Sequence, residues 1–208
     1  MSKIFFSVGI SLDGFLAGPN AGPKNPMGDG GTTIHMWLYN LARFRKELNI
    51  GEGGETGRDN DMIGETIERT GASIMGKRMF NEGEPSWPED APFHTPVFVL
   101  THQRRDPWER KGGTTFYFIN DGLQSALDKA RKSAGRKDIR IAGGANVIQQ
   151  FLNAGLVDEF TIHVAPIMLG EGVRLFENLV KYKFSVDTLD AIPSGLVTHL
   201  RYKVINRL

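Results

Sequence analysis

The chain has 208 residues, 40% of them hydrophobic and 24% charged, with a formal net charge of +1; one sheet-based core can absorb that length, and the composition lies outside the disordered regime. So small a charge gives no global field for nucleic acid, the lack of cysteine removes disulfides, thiolate catalysis and cysteine-ligated metals, and no apolar run nears the roughly 20 residues that span a bilayer. Nucleic-acid and membrane partners are therefore not expected, and the expected location is the cytoplasm.

Residues 4–10 form a short apolar run rich in β-branched and aromatic side chains, closed by Asp13-Gly14, and predict a central strand. With the charged Asp13 inside it, the opening stretch reads as strand and turn, not as a leader. Residues 18–31, rich in Gly, Pro and Asn, predict an extended loop able to cover a site. Trp37, Leu41, Phe44 and Leu48 recur at helical spacing and predict one helix over residues 36–48. Residues 50–60 mix glycine with charge and predict a flexible surface insertion inside one domain spanning 1–208. A rhythm of helix and strand follows: a helix over 61–70, strands at 72–75, 96–100 and 115–119, a helix carrying Leu123, Ala126, Leu127 and Ala130, a strand at 138–142, a helix at 146–153 and a strand at 159–165. That alternation predicts an α/β fold with a central, mostly parallel sheet and helices on both faces. Residues 183–189 and 196–205 flank the turn signal Ile192-Pro193-Ser194-Gly195 and predict an antiparallel C-terminal hairpin.

The strand at 138–142 runs through Gly143-Gly144-Ala145-Asn146 into a helix. Paired glycines let backbone approach a ligand closely, and a helix start offers N–H groups and a positive dipole end to a phosphate. A tight turn with no ligand explains the segment equally well, since it is neither G-x-G-x-x-G nor a P-loop. Two further strand ends carry Gly76-Lys77-Arg78 and Thr101-His102-Gln103-Arg104-Arg105. Ligands collect at the carboxyl ends of strands in an open α/β sheet, so three such ends predict a shared dinucleotide site, with Lys and Arg favouring an extra ribose phosphate. Taken singly, each basic group is more often a solvated surface.

The succession MGKRMF, LTHQRR, IAGGANVIQQFL and VDEFTIHVAPIMLGEGVRLF, together with the early SLDGFLAG, resembles the dihydrofolate-reductase-like superfamily. Within it, the chain is similar to the C-terminal reductase domain of bifunctional riboflavin-biosynthesis deaminase/reductases, along nearly its whole length apart from residues 50–60. The resemblance implies NADPH stretched across the strand ends of an oxidoreductase, a small-molecule substrate, and a homodimer using the late strands around residues 157–165. It implies that Gly143 and Gly144 meet the pyrophosphate through a cis peptide, with Ala145 and Asn146 beside them. It places Gly76, Lys77 and Arg78 in the first phosphate turn, and Thr101, His102 and Arg104 in the turn that reads the adenosine ribose and its 2′-phosphate. Two departures stand out: Met79 replaces a frequent phosphate-binding Thr, and Ala145 replaces the third glycine of G-G-G. In LYNLARFRK, Asn40 stands where dihydrofolate reductases carry the buried acid that holds the pterin. An amide cannot ionise, which disfavours ordinary dihydrofolate reduction.

Asn40 is expected to contact substrate or else to be a polar face residue bonded to water. Trp37 and Phe44 are expected either to wall the substrate pocket or to serve as core, the commoner role of aromatics at that spacing. Asp13 is the candidate catalytic acid, contacting substrate or placing a proton-donating water, although Asp-Gly is also an ordinary turn pair. His35, His94, His102, His163 and His199 form no H-E-x-x-H pair, so no metal site is expected, and His163 reads as a satisfied core or interface residue. The expected reaction is hydride transfer to a small heteroaromatic or carbonyl/imine substrate, in its specific form 5-amino-6-(5-phosphoribosylamino)uracil. The competing expectation, prompted by Asn40 and Met79, is a non-catalytic nucleotide or small-molecule binding module for sensing or sequestration.

Overall fold

A computed structural model describes residues 2–206. Strand β1 (Ile4–Ser11) is buried at all eight positions, as a strand covered on both faces should be. The remaining strands are β2 (Phe15–Ala17), β3 (Thr70–Gly76), β4 (Pro96–Leu100), β5 (Trp108–Glu109), β6 (Thr115–Ile119), β7 (Asp138–Gly143), β8 (Glu159–Ala165), β9 (Val173–Arg174), β10 (Phe184–Pro193) and β11 (Thr198–Asn206). Among the described residues nine strands form one sheet in the order β10-β11-β8-β1-β7-β3-β4-β6-β5, while β2 pairs with β9. Neighbours from β8 to β6 run parallel, with β11 and β10 antiparallel at one edge and β5 antiparallel at the other. The expected sheet and C-terminal hairpin are thus present. The β5 edge is an addition, since two residues carry no readable period.

The helices are α1 (Ala42–Glu47), α2 (Arg58–Arg69), α3 (Lys77–Gly83), α4 (Leu123–Ala134) and α5 (Ala145–Asn153), preceded by a 3-10 helix at Gly31–Leu38. On one face, Leu127 of α4 and Ile148 and Phe151 of α5 enter a cluster with Phe6, Ile74 and Ile141. On the opposite face, Phe80 of α3 packs with Met75 and Val99, and Ile63 of α2 packs with Ile34 and Trp37. Alternation along the strands produces this division, and each such side chain contributes about 1.5–3 kcal/mol by leaving water.

Two expectations change. The single helix over 36–48 is instead a 3-10 helix and α1, separated at Leu41, whose backbone is extended with φ −76 and ψ 132. The segment 50–60 supplies the reason: Glu55 N–H donates to the Asn40 carbonyl at 2.6 Å, and Ala42 N–H donates to the Glu55 carbonyl at 3.0 Å. Helical bonding through residues 40–42 would require those same groups. Gly54 permits the approach, since a Cβ there would lie 2.8 Å from Ala42 N, and its φ of +120 favours glycine. Second, α2 begins at Arg58 and not at 61, so the last residues of the insertion are helical. Strand β8 is interior, paired on both sides with β1 and β11.

Candidate active site

Strands β7, β3 and β4 are adjacent and parallel, so the turns after them must emerge side by side. They border one cleft of about 1010 Å³, lined at this end by Gly76, Lys77 and Arg78, by Thr101 and His102, and by Gly143, Gly144, Ala145 and Asn146. Arg104 is the exception: it is exposed and absent from the lining, where Gln103 stands instead.

The Gly143–Gly144 peptide is cis. A Cβ added at Gly144 would meet nothing within 4 Å, so the missing Cβ leaves space belonging to the cleft. α5 starts immediately after it with no side-chain cap, which leaves first-turn N–H groups to an incoming acceptor. Lys77 holds its ammonium 4.7 Å from the Phe80 ring centre and 5.4 Å from that of Phe118, and burial pushes its pKa down. Arg78 donates to Glu82 at 2.8 Å and to the Ala21 carbonyl at 3.0 Å, tying the loop at residues 18–31 to α3. That loop borders the cleft through Ala21, Pro26 and Met27. Open backbone, a helix start and two cations fit a pyrophosphate-bearing nucleotide.

The inner end of the same cleft is lined by Ser7, Gly9, His35, Trp37, Phe44, Glu47, Thr66, Arg140 and His163. Gly9 leaves room for His35, because a Cβ there would stand 3.1 Å from the imidazole Cε1. Burial lowers the His35 pKa to about 4, which keeps the ring neutral at physiological pH. Arg140 is half-buried, its inaccessible Nε lacks a hydrogen-bond partner among the described residues, and burial pushes its pKa down against the opposing Glu47 charge. Burial raises the pKa of Glu47. Trp37 and Phe44 line the cleft and also pack in the core cluster.

Asn40 and Asp13 lie elsewhere. Asn40 is exposed, outside the lining, and engaged through its carbonyl by Glu55. Asp13 accepts from Ser11 Oγ at 2.5 Å and from the amides of Leu169 and Gly170 at 3.2 and 2.7 Å. The Ser11 hydroxyl, aided by those amides, holds the Asp13 pKa down at about 2. Its carboxylate fastens the turn at 169–170 and does not line the cleft. The polar residues of the inner end carry no local motif: Ser7, Arg140 and His163 come from the adjacent strands β1, β7 and β8, and His35, Glu47 and Thr66 from helical segments.

The family model described as the RibD C-terminal domain matches residues 2–198. The chain belongs to that family. The uncharacterized protein YyaP of Bacillus subtilis (strain 168) is 49% identical over 59 residues, a stretch covering 28% of this chain and 31% of that protein. The chain thus matches under a third of this curated relative's length. A solved structure from Shewanella sp. PV-4, named for riboflavin biosynthesis, is 23% identical with a TM-score of 0.66, covering 98% of this chain and 99% of the other. Dihydrofolate reductase from Enterococcus faecalis, complexed with NADP(H) and RAB-propyl, is 12% identical with a TM-score of 0.57, covering 99% of this chain and 97% of the other. These two likenesses establish the dihydrofolate-reductase-like fold. Among the described residues no helix is long and apolar enough to cross a membrane.

Proposed function

We propose that this RibD C-terminal domain protein is an NADPH-dependent reductase that transfers hydride to a small heteroaromatic or carbonyl/imine substrate. The observation that carries the reading is the convergence of glycine-bearing and cationic turns from three adjacent strands on one cleft. The phosphate-bearing part of the cofactor would lie along Gly76–Arg78, Thr101, His102 and Gly143–Asn146, and bound cofactor would supply the hydride. The cleft volume of about 1010 Å³ is at the upper end of ordinary ligand pockets and leaves the inner end for a second molecule. There Trp37 and Phe44 would bound a flat ring and exclude water, while Arg140 would donate to an acceptor on the substrate.

The specific substrate 5-amino-6-(5-phosphoribosylamino)uracil suits this arrangement, having a flat polar ring and an anionic tail for Arg140 or Lys77. The test is loss of the near-ultraviolet absorbance of NADPH on mixing with that compound, then with a panel of pteridines, quinones and imines. Turnover of the pyrimidine is expected. Absence of turnover across the whole panel, with the cofactor bound, would replace this reading with a sensing or sequestering module. A homodimer is part of this reading, and the β10 edge, where Val186 and Leu189 are solvent-facing, is one surface open to it. Light scattering should then give twice the chain mass, and a monomer at every concentration rejects the dimer.

A further inference from the structure

A continuous line of hydrogen bonds leads away from the inner end of the cleft into the protein. Ser7 Oγ on β1 lies 2.8 Å from His163 Nε2 on β8, His163 Nδ1 lies 2.6 Å from His199 Nδ1 on β11, and His199 Nε2 lies 2.8 Å from Asp59 Oδ1 on α2. The two imidazoles are brought together by register, since His163 and His199 are directly opposite in the antiparallel β8–β11 pair. Trp37 packs against both, with ring centres 5.1 Å and 5.5 Å away. His199 is 0% exposed and His163 3%, so the cleft is where this pair meets water. The group is not a metal-holding cluster among the described residues.

We infer that the His163–His199 pair is a buried proton store, loaded from cleft water and discharged through Ser7 onto the substrate. The inference rests on the reductase reading above. Donor and acceptor rules define the two states. In the neutral state His199 Nε2–H donates to Asp59, His163 Nδ1–H donates to His199 Nδ1, and Ser7 O–H donates to His163 Nε2. With one added proton, His199 carries N–H on both nitrogens, His163 Nε2–H donates to Ser7 Oγ, and the Ser7 hydroxyl hydrogen turns to the cleft.

Hydride addition to the polarised carbon of a C=N, C=O or heteroaromatic bond pushes an electron pair onto the neighbouring nitrogen or oxygen. That pair takes the proton of Ser7 as the Ser7 O–H bond breaks. The His163 Nε2 proton passes to Ser7, the His199 Nδ1 proton passes to His163 Nδ1, and the imidazole pair ends neutral. Reloading reverses these transfers, with a cleft water as the proton source. Asp59 stabilises the stored charge on His199 and fixes its tautomer, as a positioning residue.

The groups facing the pair agree with this assignment of charge. Burial holds the His163 pKa well below its ordinary value, and His199, Arg140 and His35 push in the same direction. The His199 Nε2–Asp59 Oδ1 contact of 2.8 Å puts the carboxylate of the line beside His199, so the added charge sits on that ring. Thr66 on α2 lies against Ser7, with Oγ1 3.4 Å from Ser7 Oγ. Two further charges nearby are paired, Arg201 with Glu65 and Arg58 with Asp190.

The test uses the full-length protein with NADPH and 5-amino-6-(5-phosphoribosylamino)uracil, or a cyclic imine as second acceptor. In single turnovers the rate should depend on the D2O fraction along a curve, the mark of several protons moving together, and should fall as pH rises through the discharge of the store. Asp59→Asn should move that fall to the acid side with KM unchanged. His199→Gln, whose amide keeps the bonds but cannot relay, should lower kcat by about tenfold to a hundredfold. Independently of turnover, proton NMR of the cofactor-free protein should contain a low-field imidazole resonance that His199→Gln removes. A linear D2O dependence in the unsubstituted protein, or an unmoved pH profile in Asp59→Asn, overturns the store while leaving the reductase reading in place. Lack of turnover with either acceptor removes the discharge step together with that reading.

Discussion

Asp13 illustrates how a single carboxylate divides structural from chemical roles. Its pKa of about 2 lies below the ordinary 3.8, so ionisation favours the folded state. That contribution is complete above the unfolded value and is lost as pH falls from about 3.8 towards 2. Asp13→Asn should therefore melt at a lower temperature at neutral pH, with the gap closing as pH approaches 2, and calorimetry across that range checks it. A constant gap would separate the effect from ionisation. Phe80 carries a different load: it is 0% exposed and touches the rings of Trp87, Trp108, Phe116 and Phe118. Phe80→Ala should cost about 3–5 kcal/mol in a denaturant titration. It should also weaken nucleotide binding, since the Lys77 ammonium rests over this ring. Unchanged affinity in the folded variant would detach Lys77 placement from Phe80.

Elements explain which features were readable in advance. Strands β1, β3, β4, β6, β7 and β8 and helices α4 and α5 each carry their own periodicity or apolar run, and the glycine or basic turn after a strand is contiguous, so both levels were legible. The helix expected over 36–48 failed because its spacing of apolar residues survives in two shorter pieces, while the interruption comes from Glu55, outside the window. Ser7, Asp59, His163 and His199 were illegible as a set because strand register and packing, not sequence proximity, join them. The loop at residues 18–31 is likewise built by cross-ties: Asn20 and Asn25 donate to Asp29 at 2.7 and 2.8 Å, and Arg78 holds Ala21. Arg78→Ala should make limited proteolysis within residues 18–31 several-fold faster. Arg78→Lys should not restore protection, because a single ammonium lacks the fork that reaches Glu82 and Ala21 together. Equal cleavage rates in all three proteins would show that the loop stands without α3.

For the molecule as a whole, the sheet order shapes the site more than any one residue: placing β7, β3 and β4 side by side brings three separate segments to one groove of about 1010 Å³. Gly144 offers a probe of that groove, since its φ of −77 lies outside the left-handed region and an added Cβ meets no protein atom within 4 Å. Calorimetric titration of the full-length protein and of Gly144→Val with NADPH and NADH tests the claim most directly. The account predicts NADPH binding about tenfold or more tighter than NADH, a loss of about tenfold or more in Gly144→Val, and unchanged melting of that variant. Equal affinity for the two nucleotides, or NADPH binding indifferent to the valine, would contradict it.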